Sequence, residues 1–175
     1  MAAQPLSRIS NDLFWAGANM AVKIYEGKPE GSGYRIAVVV SRFNDLIGRR
    51  LLKGALETLA ARGVAEKNVE VAWVPGAWEI PVTAAKLAKT GRFQGIITLG
   101  AIIRGETSHH EHIAAEVGAG LRRLTEKSGL PVSFGVLTTE NLDQALARAG
   151  EKNDNKGAEA ALHLLETLSV LGQIQ

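Results

Sequence analysis

The stretch Gly100–Leu121, GAIIRGETSHHEHIAAEVGAGL, gathers residue types that can do chemistry. Arg104 carries a fixed positive charge, Thr107 and Ser108 carry hydroxyls, and His109 leads a group of imidazoles able to move protons near neutral pH. An apolar run (Ile96, Ile97, Thr98, Leu99) precedes the stretch, and its second half is Ala-rich and amphipathic. That order predicts a strand, then a loop, then the N-terminus of a helix. Such a terminus presents backbone N–H groups without helical partners and the positive end of the helix dipole, which suits an anion. The Gly-Glu-Thr loop matches neither a Walker A loop nor GxGxxG. Its fitness for an anion is generic: an Arg, a Gly backbone and a Thr converge on one helix start.

The histidines allow three readings. His109 and His112 are one turn apart and Glu116 follows four residues later, so the three can share a helix face. Imidazole and carboxylate together suit zinc or iron. However, HEHIA (110–114) is not HExxH, because its fifth residue is Ala. Solvated surface histidines are the second reading. The third, at least one His as a general acid–base, is preferred.

Two other places stand out. Phe43, between Arg42 and Asn44, follows an apolar run and can either cap the core or stack on a planar ligand. Trp78 and Glu79 pose the same choice, since a carboxylate before a helix also favours the dipole.

These residues need elements to position them. Val22–Tyr25 reads as a short strand, and Ile36–Val40 as a strand buried on both faces. Ile47–Arg62 reads as a helix with Leu51, Leu52, Ala55, Leu56 and Leu59 on one stripe, closed by Gly63. Val69–Val74 is a second strand, and Pro81 opens a helix that runs to about Thr90. Gly95–Leu99, the helix of the opening stretch, the strand Pro131–Leu137, a short helix Leu142–Ala149 and a final helix Asn155–Leu171 complete the series. The four main strands, too apolar to be half exposed, alternate with helices. The pattern predicts a three-layer α/β/α sandwich on a four-stranded parallel sheet, with the short N-terminal strand added. Ligands of such folds bind beyond the carboxyl ends of the strands, at a topological switch point. The loops SRFN, PGAWE and GAIIRGETSH, together with the segment after Leu137, should therefore line one edge.

Composition narrows the classes. The 175 residues fit one domain, with residues 20–175 as the folded unit and 1–19 as an extension. That extension lacks the apolar core of a secretory signal, is a poor transit peptide, and leaves Met20 as a natural start for the domain. The net charge of +2 is spread without a basic stripe, which argues against nucleic acid as a partner. There is no cysteine, hence no disulfide and no thiolate ligand. No apolar run approaches the ~20 residues of a membrane-spanning helix. A cytoplasmic protein is the expectation.

Five segments carry a family resemblance: SRFN (41–44), PGAWEIP (75–81), GAIIRGETSHHEHI (100–113), PVSFGVLTTENLDQALARAG (131–150) and NKGAEAA (155–161). From about Val22 to Leu168 the chain resembles the lumazine synthases of riboflavin biosynthesis. The resemblance implies a flavodoxin-like fold and a transferase without cofactor or metal. It would condense 5-amino-6-(D-ribitylamino)uracil with 3,4-dihydroxy-2-butanone 4-phosphate to give 6,7-dimethyl-8-ribityllumazine. Carried over by position, Phe43 stacks on the pyrimidine and Asn44 helps hold the ribityl chain. Ala77, Trp78 and Glu79 meet the pyrimidine and the ribityl hydroxyls, and Ile102 and Ile103 line the ring pocket. Gly105, Glu106 and Thr107 cradle the phosphate, Arg148 pairs with it, and Lys156 lies on the same side. His109 transfers protons, and Phe134 comes from a neighbouring subunit. His110, Glu111 and His112 stand where family members often carry aromatic and Asp residues, as in a H-[YF]-[DE]-[YFH] pattern, which alters the polarity beside His109.

The family also implies homopentamers with active sites between subunits, and in some members twelve pentamers in a sixty-subunit icosahedral shell. The short connection Gly150–Gly157 resembles that of the shell-formers. Riboflavin synthase is a possible partner of such an assembly. Two alternatives stand beside this reading. One is a shell or display scaffold with incidental catalysis, which need not keep Phe43, Glu79, His109 and Arg148 together. The other is riboflavin synthase activity on the same fold, against which GETSH and NKGAEAA argue.

Overall fold

A computed structural model describes residues 22–150 and 154–174. The extension 1–19 and the middle of the 150–157 connection lie outside the described residues. The elements run β1 (Ile36–Ser41), α1 (Asp45–Ala61), β2 (Val69–Val74), α2 (Ile80–Ala88), β3 (Gly95–Ile103), α3 (His109–Ser128), β4 (Val132–Thr139), α4 (Leu142–Arg148) and α5 (Lys156–Gln173). Short 3₁₀ turns at Glu66–Asn68 and Ala77–Glu79 lead into β2 and α2 respectively, the first before its strand and the second before its helix.

The four strands are all parallel, in the order β2-β1-β3-β4. This is the start of a flavodoxin-like sheet. Burial explains the order. Every residue of β1 is buried, as is every residue of β3 except the last, so these two take the centre. On β1 the side chains alternate between two cores. Ile36, Val38 and Val40 face α1 and α5, and Ala37 and Val39 face α2 and α3. Helix α1 supplies Ile47, Leu51, Ala55 and Leu59 at four-residue spacing, which puts one stripe on the sheet.

Three sequence expectations need correction. First, β2 and β4 are edge strands and are only partly buried, with Glu70 and Val71 among the accessible residues of β2. An edge strand has one ladder partner and one open side, so apolar composition alone did not bury it. Second, Val22–Tyr25 forms no strand. The chain just after it is tied to α5 instead: the Lys28 N–H donates to Ser169 Oγ at 3.0 Å and Gln173 Nε2 donates to the Glu26 carbonyl at 2.8 Å. Val22 and Ile24 stay about half exposed (48% and 49%) with no sheet edge beside them. Third, β3 does not stop at Leu99. Gly100–Ile103 pair on with Val136–Thr139 of β4, because the parallel partner continues the ladder. Gly100 is needed there, since a Cβ would run into Ser41 Oγ on β1.

Candidate active site

Between β1 and β3 the chain leaves the sheet in opposite directions, to α1 on one face and to α3 on the other. Asn44 bridges that divide. It caps α1 in a left-handed conformation (φ 62°), which Asn tolerates better than most residues, and its Nδ2 donates to the Ala101 carbonyl at 2.9 Å. The Arg42 and Phe43 N–H groups donate to the carbonyls of Val74 and Pro75 at 2.8 and 3.0 Å. The Phe43 backbone is thus fixed while its ring is 70% exposed.

After β2 the turn closes on itself. Glu79 Oε2 accepts the Gly76 N–H at 2.9 Å, and Trp78 is turned outward with 59% of its surface exposed. Pro81 then sits in the first turn of α2, where a missing N–H costs nothing.

After β3 the loop is short: Arg104 to Ser108. The Arg104 N–H donates to the Thr139 carbonyl at 2.9 Å, and its guanidinium donates to Glu140 at 2.8 Å. That hydrogen bond holds Glu140 below the usual carboxylate range and raises Arg104 further. His109 is the first residue of α3 and is exposed, so an imidazole stands at the positive end of a twenty-residue helix.

Together these loops wall a cavity of about 540 Å³, lined by Phe43, Pro75–Glu79, Ala101–Ile103, Gly105, Thr107, His109, His110 and Ile113. Exposed aromatic faces suit a planar ring. The helix start suits an anion, and His109 suits proton transfer between them. The cavity therefore takes in Phe43, Ala77, Trp78, Glu79, Ile102, Ile103, Gly105, Thr107 and His109 of the predicted set. Asn44 stands just behind it with its amide nitrogen occupied by Ala101, and Glu106 is exposed on the loop outside the lining.

The remaining predicted residues lie elsewhere. Phe134, Arg148 and Lys156 line a second cavity of about 480 Å³, formed by β4, α4 and α5. Gln144, Glu159 and His163 join them, with Lys156 bonded to Glu159. Within one chain, then, Arg148 does not share a cavity with Gly105 and Thr107, although the family resemblance implies one phosphate for all three. Asn155 anchors this second region. It is 5% exposed, its Oδ1 accepts from the N–H groups of Gly157 (2.9 Å) and Ala158 (3.1 Å), and its Nδ2 donates to the carbonyls of Arg50 (3.0 Å) and Gly150 (2.9 Å).

Among the described residues no three His, Cys, Asp or Glu side chains are placed to hold a metal ion, His109, His112 and Glu116 included. The histidines part company: His109 and His112 are exposed, whereas His110 is 8% exposed. Sequence reasoning left His110 without a role. The signal was its spacing, since His110, Ile113, Val117 and Leu121 make one helical row.

Fold and cavity define a flavodoxin-like α/β protein with a small-molecule pocket at the switch point of its parallel sheet. The model of the 6,7-dimethyl-8-ribityllumazine synthase family matches residues 33–172, which is nearly the whole 175-residue chain. The chain belongs to that family.

Proposed function

We propose that this protein condenses 5-amino-6-(D-ribitylamino)uracil with 3,4-dihydroxy-2-butanone 4-phosphate, forming 6,7-dimethyl-8-ribityllumazine and releasing phosphate and water. The observation that carries the reading is one cavity lined by two exposed aromatics, a glycine-containing loop at a helix start, and His109 as the first residue of that helix. The pyrimidine lies against Phe43 and Trp78, with Ile102 and Ile103 beneath it. The ribityl chain reaches Asn44 and the Ala77–Glu79 turn. The phosphate rests on Gly105–Thr107.

The steps follow from that placement. The primary amine of the uracil attacks the ketone carbon, and water leaves to give a Schiff base. A proton is taken from the adjacent carbon as phosphate departs with its bonding pair. The enol left behind passes its hydroxyl proton to the terminal carbon, giving a methyl ketone. The ribitylamino nitrogen adds to that new carbonyl, and loss of a second water closes the ring. Each step moves a proton between carbon, nitrogen and oxygen, which His109 serves as acid and base. Backbone donors at the helix start stabilise the leaving phosphate, and holding two small substrates together lowers the entropic barrier.

The second cavity has a place in this reading. In a homopentamer the Phe134, Arg148 and Lys156 of one subunit face the His109 cavity of its neighbour. Arg148 then supplies the side-chain cation that the first cavity's lining lacks. We extend the reading to a sixty-subunit shell, which light scattering tests: a mass of five subunits at every concentration refutes the shell and leaves the pentamer. The described helices include none long and apolar enough to cross a membrane, in keeping with work in the cytoplasm.

An absorbance assay with both substrates tests the activity. The lumazine chromophore is the expected product, and its absence with folded, assembled protein refutes the assignment.

A further inference from the structure

The loop that ends at α3 is fastened at both ends and open in the middle. At its start, Arg104 is bonded to Thr139 and Glu140 of the β4 end. At its finish, Ser108 occupies the N-cap but makes no side-chain hydrogen bond to the helix, although Ser commonly does so. The fastening comes instead from His110, whose buried Nδ1 lies 3.2 Å from the Thr107 carbonyl. Between these anchors Gly105, Glu106 and Thr107 are exposed, and open space surrounds the point where a Gly105 Cβ would stand.

A carbonyl only accepts, so Nδ1 of His110 must carry the hydrogen, leaving Nε2 as the acceptor in the neutral ring. The carbonyl and N–H of a trans peptide point in opposite directions. A Thr107 carbonyl drawn onto His110 therefore turns the Ser108 N–H away from the imidazole.

We propose that His110 is a positioning residue for the phosphate: its Nδ1–H, donated to the Thr107 carbonyl, sets the Thr107–Ser108 peptide so that the loop's N–H groups face the anion. The inference rests on reading Gly105–Thr107 as the phosphate cradle. A phenyl ring at this position fills the same buried space and cannot donate. Asn keeps a donor nitrogen where His carries Nδ1.

Two measurements test it. In the full-length wild-type protein, the imidazole nitrogen chemical shifts of His110 should report the Nδ1–H tautomer in the neutral ring. In variants, His110→Phe should raise the Kd for inorganic phosphate and the KM for the butanone phosphate about tenfold, with the KM for the uracil substrate changed less than about twofold. His110→Asn should recover most of the phosphate affinity. An Nε2–H tautomer, unchanged phosphate binding in His110→Phe, or an Asn variant no better than Phe overturns the proposal while leaving the activity reading intact. Wild-type protein that binds no inorganic phosphate removes the cradle reading and this inference with it. The tautomer and the Asn variant decide the matter even if His110→Phe does not fold.

Discussion

The two cavities are similar in size, about 540 and 480 Å³, and opposite in character. The first is walled largely by aromatic and aliphatic side chains, with the Glu79 carboxylate, the Thr107 hydroxyl and two imidazoles as its polar side chains and no Lys or Arg in its lining. The second carries Arg148 and Lys156 among polar neighbours from β4, α4 and α5. A helix start stabilises an anion with partial charges fixed in place, and a guanidinium adds a full charge and paired donors. A phosphate ester draws on both. On the proposed reading, the contrast separates ring recognition from charge neutralisation, and a second copy of the chain would reunite them.

The largest effect should come from His109→Ala. Turnover should fall by about a hundredfold or more, with the KM for the uracil substrate little changed, because the group moves protons rather than holding the ring. Wild-type kcat in steady-state kinetics would strip the first cavity of its chemistry.

Next, Arg148→Ala should lower kcat/KM by about tenfold to a hundredfold, mostly through the phosphate-bearing substrate. Mixing the His109→Ala and Arg148→Ala proteins after dissociation and reassembly should then restore measurable turnover, since some neighbouring pairs regain one intact site. A mixture as inactive as its parents would break the comparison, because each cavity would then work alone.

Asn155→Ala sharpens it from the side of stability. It removes the cap of α5 and the side-chain donor to the partly buried carbonyls of Arg50 and Gly150. Urea unfolding should show a loss of about 2–4 kcal/mol. Affinity for the phosphate-bearing substrate should drop with it, because Arg148 and Lys156 flank the same knot.

The smallest effect concerns pH. Glu140 has a depressed pKa in the folded protein because of its hydrogen bond with Arg104. Its contribution is therefore present above the unfolded carboxylate pKa and lost as pH falls through the folded one. The midpoint difference between wild type and Glu140→Gln should shrink as pH drops below the usual carboxylate range. It will be small even at neutral pH, because both side chains are exposed. A difference that persists in acid would mean that the Arg104–Glu140 charge pair is not its source.

Much of the molecule was legible in residue patterns. The β-branched run of Ile36–Val40 announced a central strand, and the row Leu51, Ala55, Leu59 announced the face of α1. The start of α3 at His109, with Gly105 and Thr107 in the loop before it, was readable from the order of apolar run, Gly-containing loop and Ala-rich segment. Phe43 and Trp78 were ambiguous between core and ligand, and their exposure decides for the cavity rim. Other features were not legible. Val22–Tyr25 has strand composition but meets no sheet edge, and the residues that follow it are taken up by α5. His110 read as one of three similar imidazoles until its burial set it apart.

The sequence by itself determined the main helices and the four sheet strands, because periodicity and capping act over a few neighbouring residues. It also determined which chemical groups were available, and the family to which the chain belongs. Only the tertiary structure decided that β1 and β3 are central, that β3 runs on to Ile103 beside β4, and that Arg148 stands with Phe134 rather than with Gly105. Parallel pairing joins residues tens of positions apart, and no local pattern records which edge a strand will meet.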